Sequence, residues 1–167
     1  MHKKIKLIEV KSELGAGTRG ASLGPDAIKI AAFDYGSNLF NKIPAVTIPI
    51  DNKMLFQPQG SPYAKRLGGI LSIYENLGKT VADTMKAKEF PIVLAGDHST
   101  AGGTIAGIKM ANPKARIGVI WIDAHADIND HLTSLSGNIH GMTLGYHHTS
   151  RADKPIWRKN PKKRSEE

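Results

Sequence analysis

Two aspartates and one histidine that alternate with alanines stand out as a candidate chemical site. They are Asp123, His125 and Asp127, and they directly follow the apolar run 117–122. In an extended backbone successive side chains point to opposite faces, so these three would project from the same face. Carboxylates and neutral imidazoles without thiolates suit manganese first, and then iron(II), cobalt or zinc. The segment therefore predicts a metal site.

A fourth candidate ligand, His98, lies in a Gly-Asp-His-Ser turn that follows another apolar run, 90–94. It precedes Asp123 by 25 residues, the length of one crossover helix, so two neighbouring strand ends would bring both side chains together. Taken alone, such a histidine is typical of a hydrogen-bonded structural residue, and such an aspartate of a turn. The combination favours metal binding. A carboxylate bridging two ions would support a binuclear centre, which lowers the pKa of a shared water and supplies a nucleophile.

A polar loop follows the candidate ligands and ends in a further histidine. It contains Asn129, Ser134 and Ser136, and it closes on His140. Composition alone indicates a turn. Beside a metal site, its amide and hydroxyl groups become candidate hydrogen-bonding groups for a substrate. His140 becomes a candidate proton shuttle because imidazole titrates near neutral pH.

The secondary structure that positions these residues is predicted to be strands alternating with helices. Apolar runs predict strands over residues 5–10, 45–50, 90–94 and 117–122. A first helix is predicted to begin at Ser22 or Gly24, with Pro25 in its first turn. Two further helices are predicted over 62–88 and over 100–110. This alternation predicts an α/β fold with a parallel sheet flanked by helices in three layers. Ligands in such sheets gather at the carboxyl ends of the strands.

The bulk composition is that of one soluble domain. The chain has 167 residues, 40% hydrophobic, and no cysteine, so disulfides and thiolate metal sites are excluded. No apolar run is long enough for a membrane span, and the amino terminus does not resemble a signal peptide. We therefore expect a cytoplasmic protein without a membrane partner.

The net charge of +8 raises the question of nucleic-acid binding. Half of that excess lies in residues 151–167, and the aromatic fraction of 6% offers no stacking platform. We therefore expect residues 146–167 to be a disordered basic tail, and we expect no nucleic-acid partner. Binding of nucleic acid through this tail is kept as a minor hypothesis.

Three motifs together resemble the ureohydrolases, the family of arginase, agmatinase and formiminoglutamase. The motifs are Gly-Asp-His-Ser at 96–99, Asp-Ala-His-Ala-Asp at 123–127 and Ser-Gly-Asn-Ile-His-Gly at 136–141. The glycine-rich segment 17–25 also resembles the family's amino-terminal loop. The sequence is most similar to arginase, because Ile128-Asn129 follows the central motif as it does in arginases. The resemblance implies an arginase-like α/β domain over residues 1–145.

The resemblance also implies a role for each candidate residue. The implied manganese ligands are His98, Asp123, His125 and Asp127. The residues implied to hold the α-carboxylate of L-arginine are Asn129, Ser134 and Ser136. His140 matches the family's proton-shuttling histidine. The implied reaction converts L-arginine to L-ornithine and urea, in a homo-oligomer with two manganese ions per site.

The sequence departs from the family pattern after His140. Family members carry a later Ser-x-Asp-x-Asp-x-x-Asp-Pro motif that supplies further metal ligands, and this sequence has none. We therefore expect a truncated arginase-like chain whose metal binding is weak or mononuclear. Two hypotheses follow. One is an arginase-like hydrolase of a guanidino C–N bond, inactive if the missing aspartates are essential. The other is a non-catalytic metal-binding or subunit-interaction fragment.

Overall fold

Strands and helices alternate along the chain in the computed structural model, which describes residues 4–145. The strands are β1 (Ile5–Val10), β2 (Ala45–Thr47), β3 (Gly60–Ser61), β4 (Ala64–Lys65) and β5 (Phe90–Ala95). The helices are α1 (Gly24–Asp34), α2 (Leu39–Lys42), α3 (Leu67–Lys86) and α4 (Ala101–Ala111). Single 3₁₀ turns cover Ala21–Leu23, Asn52–Phe56, His98–Thr100 and Ile139–Met142.

The main sheet is parallel and has the strand order β2-β1-β5. Leu7 in β1 lies opposite Ala45 on one side and Ile92 on the other. Parallel strands require crossover connections, which the intervening helices supply. The predicted α/β class, with a parallel sheet flanked by helices, is confirmed. Because β1 is central, its residues Ile8 and Val10 are fully buried.

Helix α3 contributes the largest apolar face of the core. Ile70, Ile73, Leu77 and Val81 recur every three or four residues and are at most 2% exposed. The helix packs on α4 at a point where Gly107 lies so close to Val81 that a β-carbon there would overlap it. At the amino-terminal end of α4, which follows the turn containing His98, Gly102 lies equally close to Tyr74 of α3.

The predicted strand 117–122 is wrong, because these residues form no ladder with any other part of the described range 4–145. A cleft of about 450 Å³ separates this segment from the outer edge of β5. Ile120 and Ile122 are 91% and 94% exposed. An apolar run is a necessary feature of a buried parallel strand, but a strand forms only where a neighbour supplies hydrogen-bonding groups. Here the segment passes the cleft without such a neighbour.

Two predicted boundaries also differ from the structure. The helix predicted over 62–88 begins only at Leu67, because Pro62 and Tyr63 form the turn of the antiparallel β3–β4 hairpin. The strand predicted over 45–50 ends at Thr47. The predicted helices beginning near Gly24 and over 100–110 are confirmed as α1 and α4.

The predicted basic tail, 146–167, lies outside the described residues. Within residues 4–145, no helix combines the length and the apolar character that crossing a bilayer would require.

Candidate metal centre

Three of the four predicted metal ligands converge on one point. His98, Asp123 and Asp127 each offer a ligand atom, and these atoms lie within 4.8 Å of one another. Nδ1 of His98 is 3.4 Å from Oδ2 of Asp123, and Nε2 is 3.5 Å from Oδ2 of Asp127. The imidazole therefore lies between two carboxylates that come from a separate part of the chain.

The turn after β5 holds His98 in place. Its neighbour Asp97 is buried and accepts a hydrogen bond at Oδ1 from the Ser99 N–H, at 3.0 Å. Oδ2 of Asp97 accepts from the Gly15 N–H at 3.2 Å. The Tyr74 hydroxyl of α3 donates to the Ser99 carbonyl at 2.8 Å. Hydrogen bonds therefore hold the turn both to Gly15, just before the glycine-rich segment, and to the longest helix.

Asp127 is 5% exposed and has a left-handed backbone with φ of 50°. Its carbonyl accepts from the N–H of Leu144 at 2.9 Å, and its Oδ2 accepts from the indole N–H of Trp121 at 3.0 Å. The Trp121 ring also meets the His98 ring edge-on at 5.8 Å between centroids. Trp121 thus orients both ligands. The sequence gives no sign of this role, because Trp121 lies within the apolar run that predicts a strand.

His125 lies outside the group of three. The chain turns at Asp123, whose Oδ1 accepts a hydrogen bond from the His125 N–H at 3.0 Å. The His125 side chain is therefore 81% exposed, and its Nδ1 is 3.7 Å from Asp123 Oδ1. The predicted projection of all three motif side chains from one face is wrong, because the backbone here is a turn rather than extended. The backbone hydrogen bond from His125, which outweighs the effect of burial, lowers the pKa of Asp123.

The residues present suit a divalent cation. Nε2 of His98 is buried and has no hydrogen-bond partner among residues 4–145, which is costly unless something else contacts it. Two carboxylates face the same imidazole, and their mutual repulsion would be relieved by a cation. One nitrogen and two carboxylate donors without sulfur match the preference of manganese and similar ions. His98, Asp123 and Asp127 can therefore hold such an ion.

His140 lies beside the group, with its ring centroid 5.2 Å from that of His98 and the planes tilted by 45°. The ring is half-buried. Burial lowers the pKa of His140, and the neighbouring His98 lowers it further. A lowered pKa keeps the imidazole neutral at pH 7, able to accept a proton. The role of His140 as a proton shuttle stays a prediction.

The predicted substrate-binding residues lie in the loop that leads to His140. Asn129 is exposed, and its N–H donates to the Gly141 carbonyl at 3.2 Å. The hydroxyl of Ser134 accepts from the Gly137 N–H at 3.0 Å, and that of Ser136 accepts from the Asn138 N–H at 3.2 Å. An accepting hydroxyl keeps its own proton for a further partner. The predicted contact of these residues with a substrate stays a prediction.

Gly15 joins the two halves of the site, since its N–H donates to Asp97 and its carbonyl accepts from the His140 N–H at 3.3 Å. A β-carbon at this position would overlap the Ser99 hydroxyl and the Asp97 carboxylate. We expect Gly15→Ala to displace the His98 turn and to weaken manganese binding by about 10–100-fold in a calorimetric titration, the usual effect of disturbing groups that orient ligands.

The matched control for that prediction is Gly68→Ala, because open space surrounds Gly68. The control should bind manganese as the wild type does. Equal affinities for Gly15→Ala and Gly68→Ala would show that the Gly15 contacts do not position His98.

Comparison with known proteins identifies the family of this chain. The family model described as the arginase family matches residues 3–160. The chain belongs to the arginase family. The resemblance indicated by the three motifs is thereby confirmed, and the matched region contains every residue of the candidate centre.

Several arginases are similar to this arginase-family chain. The arginase of Bacillus caldovelox is 40% identical over 144 residues, which are 85% of this chain and 48% of that protein. The arginase of Brevibacillus brevis is 39% identical over 158 residues, 89% of this chain and 50% of that protein. The chain therefore spans about half the length of the curated relatives it matches.

Solved arginase structures share the fold. The Entamoeba histolytica arginase, crystallised in complex with L-ornithine, superposes with a TM-score of 0.73 at 34% identity. That superposition covers 87% of this chain and 50% of the other. The native Bacillus caldovelox arginase gives a TM-score of 0.72 at 38% identity, covering 86% and 48% of the two chains.

Proposed function

We propose that this arginase-family chain is a manganese-dependent hydrolase that cleaves a guanidino C–N bond, with L-arginine as substrate and L-ornithine and urea as products. The observation that carries the proposal is the convergence of His98, Asp123 and Asp127 beside the neutral imidazole of His140. The L-ornithine held by the Entamoeba histolytica relative supports an amino-acid substrate of this class.

The metal would be held by the three converging side chains. Bound manganese would supply Lewis-acid activation of water near neutral pH. The indole N–H of Trp121 keeps the Asp127 carboxylate turned toward His98. The Asp97 carboxylate, through the Ser99 N–H, keeps the His98 turn rigid. Orienting contacts of this kind raise metal affinity because the ligands need not be ordered at the moment of binding.

His140 would act as the general base and general acid of the hydrolysis. Its imidazole is neutral at pH 7, so a ring nitrogen can accept a proton from the attacking water and deliver it to the leaving amine nitrogen of the substrate. Asn129, Ser134 and Ser136 would bind the α-carboxylate of arginine. Agmatine lacks that carboxylate, so it should be the poorer substrate.

Urea release from L-arginine with added manganese tests this function. We expect turnover that requires manganese, exceeds that on agmatine, and disappears in Asp127→Asn. A chain that binds manganese but releases no urea from L-arginine would contradict the hydrolase proposal and favour the second candidate below.

The second candidate function is subunit interaction with another arginase-family chain. It is favoured by the cleft between β5 and residues 117–122, where Val119, Ile120 and Ile122 are 46–94% exposed. Exposed apolar surface of this kind marks interaction sites, and an unpaired strand edge such as that of β5 accepts a further strand. The proposed partner is another arginase-family chain, whose apolar side chains would cover the exposed rim of the cleft.

Replacing Ile120 and Ile122 together with serine should abolish co-elution with the full-length Bacillus caldovelox arginase in size-exclusion chromatography, because it removes the apolar rim of the cleft. Tyr35→Ser is the matched control, since Tyr35 is 91% exposed but lies beyond the end of α1. Absence of co-elution for the wild type, or equal co-elution for both variants, would exclude an interface at this cleft.

A further inference from the structure

Arg66 occupies a backbone position that suits glycine better than arginine. It connects β4 to α3 with φ of 56°, a left-handed conformation that crowds any residue with a β-carbon. The position is fixed on both sides, since the Arg66 N–H donates to the Gln59 carbonyl and its own carbonyl accepts from the Ile70 N–H. An arginine kept in a strained position indicates that its side chain serves a purpose.

The Arg66 side chain is buried and hydrogen-bonded without an ion pair. The residue is 7% exposed, and within residues 4–145 no carboxylate lies within ion-pair distance of its guanidinium. Nε donates to the Leu14 carbonyl at 2.8 Å, and Nη2 donates to Oδ1 of Asn138 at 3.0 Å. A buried cation without a carboxylate partner is a poor source of stability. Its rigid fork of donors is instead well suited to fixing two acceptors relative to each other.

Both acceptors lead directly to the candidate metal centre. Leu14 precedes Gly15, whose N–H donates to Asp97 beside the ligand His98. Asn138 lies two residues before His140. The backbone of β4 reinforces the second link, because the Lys65 N–H donates to the Gly137 carbonyl at 2.9 Å.

Burial lowers the pKa of the Arg66 guanidinium, and the negative charge of Asp97 opposes that effect. The Arg66 guanidinium is therefore close enough to interact electrostatically with Asp97, the carboxylate that holds the His98 turn. The Arg66 side chain therefore bonds directly to Leu14 and to the loop of His140, and it is linked to the His98 turn through Gly15.

We propose that Arg66 is a positioning residue that holds the His98 turn and the His140 loop in register. Arg66 does not touch the three ligands; it acts through Leu14, Gly15 and Asn138. The effect of Arg66 on manganese binding rests on the proposed function. The positioning of the His98 turn against the His140 loop does not, because it is present without metal.

The test compares Arg66→Met, which keeps much of the stem but removes the donor fork, with Arg66→Lys, which keeps the charge. Arg116→Met is the matched control, because Arg116 is exposed. The first readout is the nuclear Overhauser effect between the His98 and His140 rings in the metal-free protein, where the centroids are 5.2 Å apart. The second is manganese affinity by calorimetry.

We expect the wild type and Arg116→Met to show the ring-to-ring effect and Arg66→Met to lose it. Manganese affinity should fall by about 10–100-fold in Arg66→Met and by a smaller factor in Arg66→Lys. If Arg66→Met does not fold, Arg66→Lys decides by the same two readouts.

An unchanged ring-to-ring effect in both Arg66 variants, or its absence from the wild type, would overturn the proposal. A wild type that shows the effect but binds no manganese would refute the proposed function while leaving the positioning role of Arg66 established by its variants.

Discussion

Asp127→Asn is expected to weaken manganese binding by more than about 100-fold. This loss exceeds the roughly 10–100-fold typical of removing a group that only orients a ligand. The side chain is 4% exposed, so water cannot replace the lost ligand easily. Asparagine has the same shape and can still accept the Trp121 N–H, so the substitution removes the charge and leaves the local geometry. Isothermal titration calorimetry with manganese measures the change.

Asp130→Asn is the matched control, because Asp130 lies three residues away and accepts hydrogen bonds from the N–H groups of Leu132 and Thr133 within its own turn. The asparagine oxygen can accept the same bonds, so the turn should persist and manganese affinity should not change. If both variants bound manganese as tightly as the wild type, the ion would be held elsewhere.

Leu77→Ala is expected to lower the free energy of unfolding by about 2–5 kcal/mol, the range for deleting a buried leucine side chain. Leu77 is fully buried in α3, where it packs against Gly103 of α4. The loss combines reduced apolar burial with the cavity left between the two helices. Urea denaturation followed by circular dichroism gives the value.

Leu71→Ala on the same helix controls for helix propensity, since Leu71 is 49% exposed. It should change the free energy of unfolding by less than about 0.5 kcal/mol. Similar losses for the two variants would mean that the contact between α3 and α4 contributes little to stability.

The sequence predicted those elements that are marked by nearby residues, such as an apolar segment or a proline at the start of a helix. Apolar segments located β1 and β5, and Pro25 marked the start of α1. The same signal failed for residues 117–122. An apolar run records that a segment suits burial, but not which strand lies beside it. The hairpin at 60–65 was missed for a related reason, since it docks against Gly137, far along the chain.

The candidate site shows the same division. The motifs predicted that His98, Asp123 and Asp127 would meet, because strand ends in a parallel sheet bring distant ligands together. They did not predict the turn at Asp123 that directs His125 outward. Trp121 and Arg66 were not recognised, because their roles depend on contacts between segments; the bond from Arg66 to Leu14 spans 52 residues.

Electron spin echo spectroscopy of the chain with one equivalent of manganese tests the central claim most directly, because it detects nitrogen bonded to the ion. We predict coupling to one histidine nitrogen that is lost in His98→Asn and retained in His125→Asn. Absence of nitrogen coupling, or coupling retained in His98→Asn, would contradict a centre built from His98, Asp123 and Asp127.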